Sequence, residues 1–252
     1  MRPRDAGWTL CALALLASCG VPRASDTRLT VAAAANLMDV LSVARPAFKA
    51  KTGIDVIFSY GSTAQLATQI VNGAPFDLLA AADTEHVDSL VAARKLTAES
   101  RAIYARGQLA LWIPENNPSG IRELKDLAGE QVRFVAIAQP DLAPYGQATL
   151  EVLKRAGLWE RVQPKLVYGT SVSMAKQLAA SGGANASFTA YSLVLYERGT
   201  VLKMDPQLYQ PILQALGIVA ASPRIKEAEQ FRSFLLGAEG RTILANGGYL
   251  LP

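Results

Sequence analysis

The sequence has only two cysteines and one histidine among its 252 residues. Both cysteines, Cys11 and Cys19, fall in an apolar N-terminal segment, so the rest of the chain offers no disulfide and no thiol nucleophile. The single histidine, His86, is not part of any metal-ligand spacing. We therefore expect no cofactor and no site for a metal cation.

Charge is scarce as well, since charged residues make up 18% of the chain. The net charge of +4 is spread thinly, without a lysine or arginine run. This argues against a nucleic-acid partner. After the N-terminal segment, no apolar run is long enough to span a membrane. Hydrophobic residues make up 50% of the chain, enough to bury one or two cores.

The N-terminal segment resembles an export signal. Arg2 and Arg4 precede the apolar run "WTLCALALLAS", and "LASCG" at residues 16–20 resembles a lipoprotein processing box. We expect residues 1–19 to form a lipoprotein-type signal peptide, with Cys19 lipidated at the mature N-terminus. The alternative is an ordinary secretory leader that is cleaved near Ala24.

Short apolar segments alternate with helical patterns along the rest of the chain. The segment "RLTVAAAA" at residues 28–35 predicts a buried strand, and Asn36 is expected to begin a helix that Pro46 kinks and that ends before Gly53. Further strands are predicted at residues 54–60, 76–83, 107–113, 133–138, 165–168 and 215–222, and a helical region at 225–246. This alternation predicts an α/β fold with parallel, doubly wound sheets.

Four predicted strand-to-helix turns carry small or polar residues and no charged side chain. They are "AAN" ending at Asn36, "GST" at 61–63, "PYG" at 144–146 and "GTSV" at 169–172. Taken singly, the polar residues are ordinary helix caps, and Tyr145 is a packed aromatic. Together they place helix N-termini and neutral donors where parallel sheets bind ligands. The pattern favours an ionised oxyanion without a proton, because these turns offer no carboxylate acceptor.

At these turns the chain resembles a known family, the molybdate-binding proteins of ABC importers. The resemblance is carried by "VAAAANLMDVL", "FSYGSTAQLATQIVNGAPFDLLAAAD", "YARGQLALWIP", "LAPYGQATLEVLKRAGLW" and "PKLVYGTSV", and runs from about Leu29 to the C-terminus. It implies a two-lobed class II periplasmic binding protein fold, each lobe a mainly parallel doubly wound sheet. Lobe 1 would comprise residues 27–105 and 216–252, and lobe 2 residues 106–215.

The resemblance also implies the residues that hold the oxyanion. It places Asn36 after the first strand, Thr63 with Ser62 in the second turn, Tyr145 in the third, and the backbone N–H of Val172 in the fourth.

The family has a second place for its tyrosine, on a later strand. Ala190 is the best-aligned residue there, and Tyr191 stands next to it. The chain departs from the family pattern nearby, with Ser187 in place of a glycine, and Ala64 replaces a common glycine in the second turn.

By this resemblance the chain would be a receptor in the periplasm that captures molybdate or tungstate. We expect it to be a monomer, anchored to a membrane through the lipid on Cys19 that the processing box predicts. It would deliver the anion to an ABC permease in the inner membrane, without catalysis. Three alternatives stay open: a receptor for another oxyanion such as sulfate, an enzyme on the same scaffold, and a sensor. For an enzyme, the available groups are His86, Asp77 and Asp83, of which the histidine is expected to lie far from the four turns.

Overall fold

The computed structural model describes residues 28–115, 117 and 119–252. The expected signal peptide of residues 1–19 and the lipidated Cys19 lie outside these described residues. Within the described ranges, no helix is both long and apolar enough to cross a membrane.

The first lobe is built on a five-stranded sheet. Its strands are β1 (Arg28–Ala34), β2 (Asp55–Gly61), β3 (Leu78–Ala80), β4 (Ala102–Gly107) and β10 (Ile212–Ile218), in the order β2-β1-β3-β10-β4. β1 pairs in parallel with β2 and β3, whereas β10 is antiparallel to β3 and β4. Only β10 therefore runs against the other strands, so the sheet is mainly parallel, as expected.

The second lobe repeats this plan. Its strands are β5 (Leu109–Pro114), β6 (Val135–Ala138), β7 (Leu166–Gly169), β8 (Ala186–Ala190) and β9 (Gly199–Lys203), in the order β7-β6-β8-β5-β9. β6 is parallel to β7 and β8, and β5 is antiparallel to β8 and β9. The chain enters this sheet directly after β4, with only Gln108 between the two strands, and leaves it between β9 and β10.

Helices cover both faces of the sheets. In the part of the chain that the structure describes, the α-helices are α1 (Met38–Thr52), α2 (Thr63–Val71), α3 (Glu85–Ala92), α4 (Pro144–Arg155), α5 (Trp159–Val162), α6 (Val172–Ala180), α7 (Ile225–Leu236) and α8 (Ala238–Asn246). Leu29 and Val31 of β1 pack with residues of α1 and α7, whereas Ala32 packs with residues of α2 and α3. Because β1 is buried on both faces, its sequence is apolar without alternation.

The predicted elements are recovered with some differences. α1 is preceded by a 3₁₀ helix at Ala35–Leu37 and contains Pro46 without ending there. It ends at Thr52, directly before Gly53, whose φ is 75°. The last strand, expected at 215–222, is β10 at Ile212–Ile218. The C-terminal helical region divides into α7 and α8 at Gly237.

The apolar patterns did not predict β4, β8 and β9, although the family resemblance implied a late strand at Ala190, the last residue of β8. β8 is fully buried, yet it carries Ser187 and Thr189 and therefore lacks the apolar run of a buried strand. β9 is an edge strand, and none of its five residues is buried. β8 and β9 are placed by pairing with β5, and β4 by pairing with β10.

Candidate functional site

A cavity lies between the two lobes, at the ends of strands from both sheets. The wall contains all five residues that the sequence predicts for the site, which are Asn36, Ser62, Thr63, Tyr145 and Val172. The remaining wall residues are alanine, glycine and proline, so no carboxylate, ammonium, guanidinium or imidazole group lines the cavity.

Four helical segments begin at this cavity: the 3₁₀ helix at Ala35–Leu37, α2, α4 and α6. The first backbone N–H groups of a helix have no partner within the helix, and the N-terminal end of its dipole is positive. The cavity is therefore electropositive although none of its side chains is charged. Such a site suits an anion.

Asn36 is buried, and its side-chain amide is engaged inside the protein. Nδ2 donates to Oε1 of Gln214 at 2.9 Å and to the hydroxyl of Tyr249 at 2.8 Å. These bonds use both amide protons. Asn36 can still offer its backbone N–H at the start of the 3₁₀ helix, rather than the side-chain donor that the sequence suggests.

Ser62 and Thr63 take different roles at the start of α2. The Ser62 hydroxyl donates to Oε1 of Gln65 at 2.9 Å, within the first turn of the helix. The Thr63 hydroxyl instead accepts the backbone N–H of Ala82 at 3.1 Å. A hydroxyl that accepts keeps its own proton for donation, so Thr63 is the better side-chain donor for a ligand.

Tyr145 stands in the first turn of α4, directly after Pro144. Its ring is buried, and its hydroxyl accepts a hydrogen bond from Nε2 of Gln214 at 3.0 Å. Burial, and then the nearby Tyr249, raise the pKa of Tyr145 well above its ordinary value. The phenol therefore stays protonated and can donate to a bound anion.

Two glycines permit this close packing. A Cβ on Gly146 would lie 2.3 Å from the carbonyl oxygen of Ala138 in β6. A Cβ on Gly107 would lie 2.1 Å from the Tyr145 hydroxyl and 2.6 Å from Nε2 of Gln214. Real Cβ atoms do not approach so closely, so a side chain at either position would displace its neighbours.

Val172 is the first residue of α6 and is buried. Ser171 caps the helix by accepting the N–H of Met174 at 3.2 Å. The hydroxyl of Thr189 donates to the carbonyl of Val172 at 3.3 Å. These contacts hold the backbone of Val172 beside the cavity, where its N–H is one of the unpaired donors of the helix start.

Hydrogen bonds join the two lobes around the cavity. The N–H of Ala64 in α2 donates to the carbonyl of Leu142 at 3.2 Å, and the hydroxyl of Ser192 donates to the carbonyl of Asn36 at 2.9 Å. The structure is therefore that of a closed cleft.

Comparison with known proteins agrees with this architecture. A family model for bacterial extracellular solute-binding proteins matches residues 29–250. The chain belongs to this family. It is 34% identical over 240 residues to the molybdate-binding protein ModA of Rhodobacter capsulatus, covering 95% of this chain and 94% of the relative. It is 32% identical over 231 residues to ModA of Azotobacter vinelandii, covering 90% and 91%.

A solved structure, the periplasmic molybdate-binding protein of Azotobacter vinelandii, superimposes with a TM-score of 0.83 at 33% identity. The match covers 89% of this chain and 99% of that one. The predicted two-lobed α/β solute-binding fold is thereby confirmed. The assignment of the five cavity residues to ligand binding stays a prediction.

The other candidate site residues from the sequence lie outside the cavity wall. Tyr191 packs against Gly248, where an added Cβ would lie 2.9 Å from its ring. Asp77 accepts from the N–H of Thr30 and the hydroxyl of Ser222. Asp83 accepts from the N–H of His86 at the start of α3. Tyr191 therefore packs against the backbone, Asp77 binds groups of neighbouring segments, and Asp83 caps the start of α3.

His86 lies nearer to the cleft than the sequence suggested. It lines a groove with Asp83, Asp141 and Glu151 that shares Ala82, Ala143 and Pro144 with the cavity. The hydrogen bond to Asp83, at 2.9 Å from Nδ1, raises the pKa of His86.

Sequence reasoning missed Gln214, which contacts both Asn36 and Tyr145. The sequence feature that indicates this residue is a single glutamine within the apolar segment "PILQALGIV". A buried amide needs partners, so its position in a strand of this kind predicts a buried polar network.

Proposed function

We propose that this protein captures molybdate or tungstate between its two lobes and delivers the anion to an ABC permease in the inner membrane. The observation that carries this proposal is the cavity, where helix starts converge and no side chain is charged. The molybdate-binding relatives at 34% and 32% identity support the same ligand class.

The donor set suits a fully ionised tetrahedral anion. Hydrogen bonds to a charged group contribute about 1.5–3 kcal/mol each, so six or seven could offset desolvation and association costs. The remainder corresponds to binding in the micromolar to nanomolar range, about −8 to −12 kcal/mol. The Thr63 and Tyr145 hydroxyls and the backbone N–H groups at the helix starts are the donors we assign.

Selectivity would come from cavity size. Sulfate has the same charge and shape as molybdate but is smaller, so a rigid ring of donors placed for the longer metal–oxygen distance would bind it poorly. Calorimetric titration with molybdate, tungstate, sulfate and phosphate tests this. We expect strong binding of the first two and little response to the others. Equal binding of sulfate would make the protein a general oxyanion receptor, and no binding of any would overturn the proposal.

Delivery would depend on closure. The ligand would contact both lobes and so stabilise the closed state, which the permease would recognise. The five assigned residues complete the cavity within one chain, and we propose that the protein acts as a monomer. We propose no catalytic step and no cofactor, since the cavity wall has no general acid or base and no metal ligand set. Uptake of molybdate by cells with and without the gene separates transport from a purely sensory role.

We further propose that Cys19 carries a lipid anchor that holds the protein at the periplasmic face of a membrane. Mass spectrometry of the mature N-terminus tests this directly. A diacylated Cys19 is the expected result, and Cys19→Ala should release the protein, whereas Cys11→Ala should not. A mature chain that begins near residue 25 would instead indicate an ordinary secretory leader.

A further inference from the structure

Behind the cavity wall lies a buried cluster of polar side chains centred on Gln214. Gln214 is fully buried on β10. Its Oε1 accepts from Nδ2 of Asn36 at 2.9 Å. It also lies 2.9 Å from the hydroxyl of Tyr104, whose one proton has a second acceptor in the carbonyl of Ala81, also at 2.9 Å. Nε2 of Gln214 donates to the hydroxyl of Tyr145 at 3.0 Å. Both ends of the amide are therefore engaged.

The direction of these bonds is determined by neighbours. The hydroxyl of Tyr249 donates to the carbonyl of Asn36 at 2.7 Å, so its oxygen can accept Nδ2 of Asn36. The other Nδ2 proton goes to Oε1 of Gln214. Turning the Gln214 amide over would set its Nε2 against Nδ2 of Asn36. The arrangement with Nε2 toward Tyr145 therefore leaves fewer donors without an acceptor.

This arrangement determines what Tyr145 can offer to a ligand. Nε2 of Gln214 has only protons to give, so Tyr145 cannot donate to it. The phenolic proton is left for the cavity that Tyr145 lines. Gly107 provides the room, because a Cβ there would collide with both Tyr145 and Gln214.

We propose that Gln214 is a positioning residue that orients Tyr145 as a hydrogen-bond donor toward the bound oxyanion. This inference rests on the proposed function. It implies discrimination against oxyanions that carry a proton, such as inorganic phosphate, because an oriented phenolic donor cannot accept the anion's own proton. Gln214 lies on β10, which the structure places in the sheet of the first lobe although residues up to 215 were expected in the second. Tyr145 lies on α4 of the second lobe, so this orientation is complete only when the cleft is closed.

The test is a double-mutant cycle read by calorimetric titration with molybdate. Gln214→Met and Gln214→Glu are made alone and together with Tyr145→Phe. We expect Gln214→Met to weaken molybdate binding about 5- to 20-fold when Tyr145 is present. In the Tyr145→Phe background it should weaken binding less than about 2-fold, because there is no phenolic proton left to orient.

Gln214→Glu keeps the shape of the side chain but removes the donor. Tyr145 would then donate to the new carboxylate and turn an oxygen lone pair toward the ligand. We expect a loss larger than that of Gln214→Met, about 100-fold, and a molybdate-to-phosphate affinity ratio that falls.

Gln108→Met is the matched control. Gln108 also makes a hydrogen bond between the lobes, from Nε2 to the carbonyl of Gly248 at 2.7 Å, but does not line the cavity. Its effect on affinity should be the same with and without Tyr145→Phe. Thermal unfolding checks that each variant is folded. If Gln214→Met does not fold, the double-mutant cycle is measured with the isosteric Gln214→Glu.

Two results would separate the possible failures. If the unaltered protein binds no oxyanion, both the proposed function and this inference are overturned. If it binds molybdate but the Gln214 substitutions cost the same in both backgrounds, Gln214 does not act through Tyr145, and only the inference is overturned.

Discussion

Thr63 accepts the backbone N–H of Ala82 through its hydroxyl oxygen, at 3.1 Å. This bond ties the start of α2 to the residues after β3 and aims the remaining hydroxyl proton away from Ala82. Thr63→Val keeps the size of the side chain but removes both functions. We expect a loss of about 1.5–3 kcal/mol in molybdate binding, measured by calorimetry.

Ser62→Ala is the comparison for Thr63→Val, because the Ser62 hydroxyl is engaged with Gln65 inside α2. It should cost about 1 kcal/mol of folding stability, as the loss of a helix cap does, with a smaller effect on affinity than Thr63→Val. Equal affinity losses in the two variants would contradict the different roles that the structure gives them.

Tyr145→Phe tests the phenolic donor. Removing a hydrogen bond to a charged ligand should cost about 1.5–3 kcal/mol of binding, roughly 10- to 150-fold in Kd. Tyr209→Phe is a suitable control. Tyr209 is also buried, but its hydroxyl accepts the N–H of Leu109 and does not line the cavity. Unchanged molybdate affinity in Tyr145→Phe would remove Tyr145 from the site.

Gly107→Ala should weaken binding without a change at the ligand itself. The added methyl group would lie 2.1 Å from the Tyr145 hydroxyl, so the phenol must move or the cleft must stay partly open. Calorimetry should show weaker molybdate binding. Adding Tyr145→Phe should relieve part of the strain because the colliding oxygen is gone, so Gly107→Ala should cost less affinity in the Tyr145→Phe background. An affinity equal to that of the unaltered protein would show that the close contact is not needed for binding.

His86 is expected to titrate above its ordinary pKa of about 6.5. The hydrogen bond to Asp83 is the main cause, opposed by partial burial. Because the folded-state pKa is raised, the pair stabilises the fold fully below about pH 6.5 and loses this contribution as the pH rises through the raised value. As the only histidine, it gives a single NMR titration, and Asp83→Asn should lower that pKa. A pKa at or below the ordinary value would refute the pairing.

Arg94→Gly should stabilise the protein. Arg94 follows α3 with a φ of 58°, the left-handed conformation that glycine adopts without steric cost. We expect a gain of about 1 kcal/mol in the free energy of unfolding, measured by denaturant titration. Ala92→Gly, two residues earlier and inside the helix, should instead lose about 1 kcal/mol.

Much of the fold could be read from local patterns. The apolar segment of β1 predicts a strand buried on both faces, and the glycine at position 53 predicts the end of α1. These features depend on residues close together in the chain. The local pattern did not predict the polar central strand β8, which only the family resemblance implied, because its burial comes from distant strands.

The sequence by itself determined which residues could form the site, because strand-to-helix turns with small neutral residues can be found along the chain and the carboxyl ends of parallel strands share one edge. Only the tertiary structure decided how those residues can act. It directs the amide protons of Asn36 inward, engages the Ser62 hydroxyl with Gln65, and leaves protons free on Thr63 and Tyr145. The reason is physical: the direction of a hydrogen bond depends on partners that are far away in the chain, such as Gln214, and sequence order does not specify them.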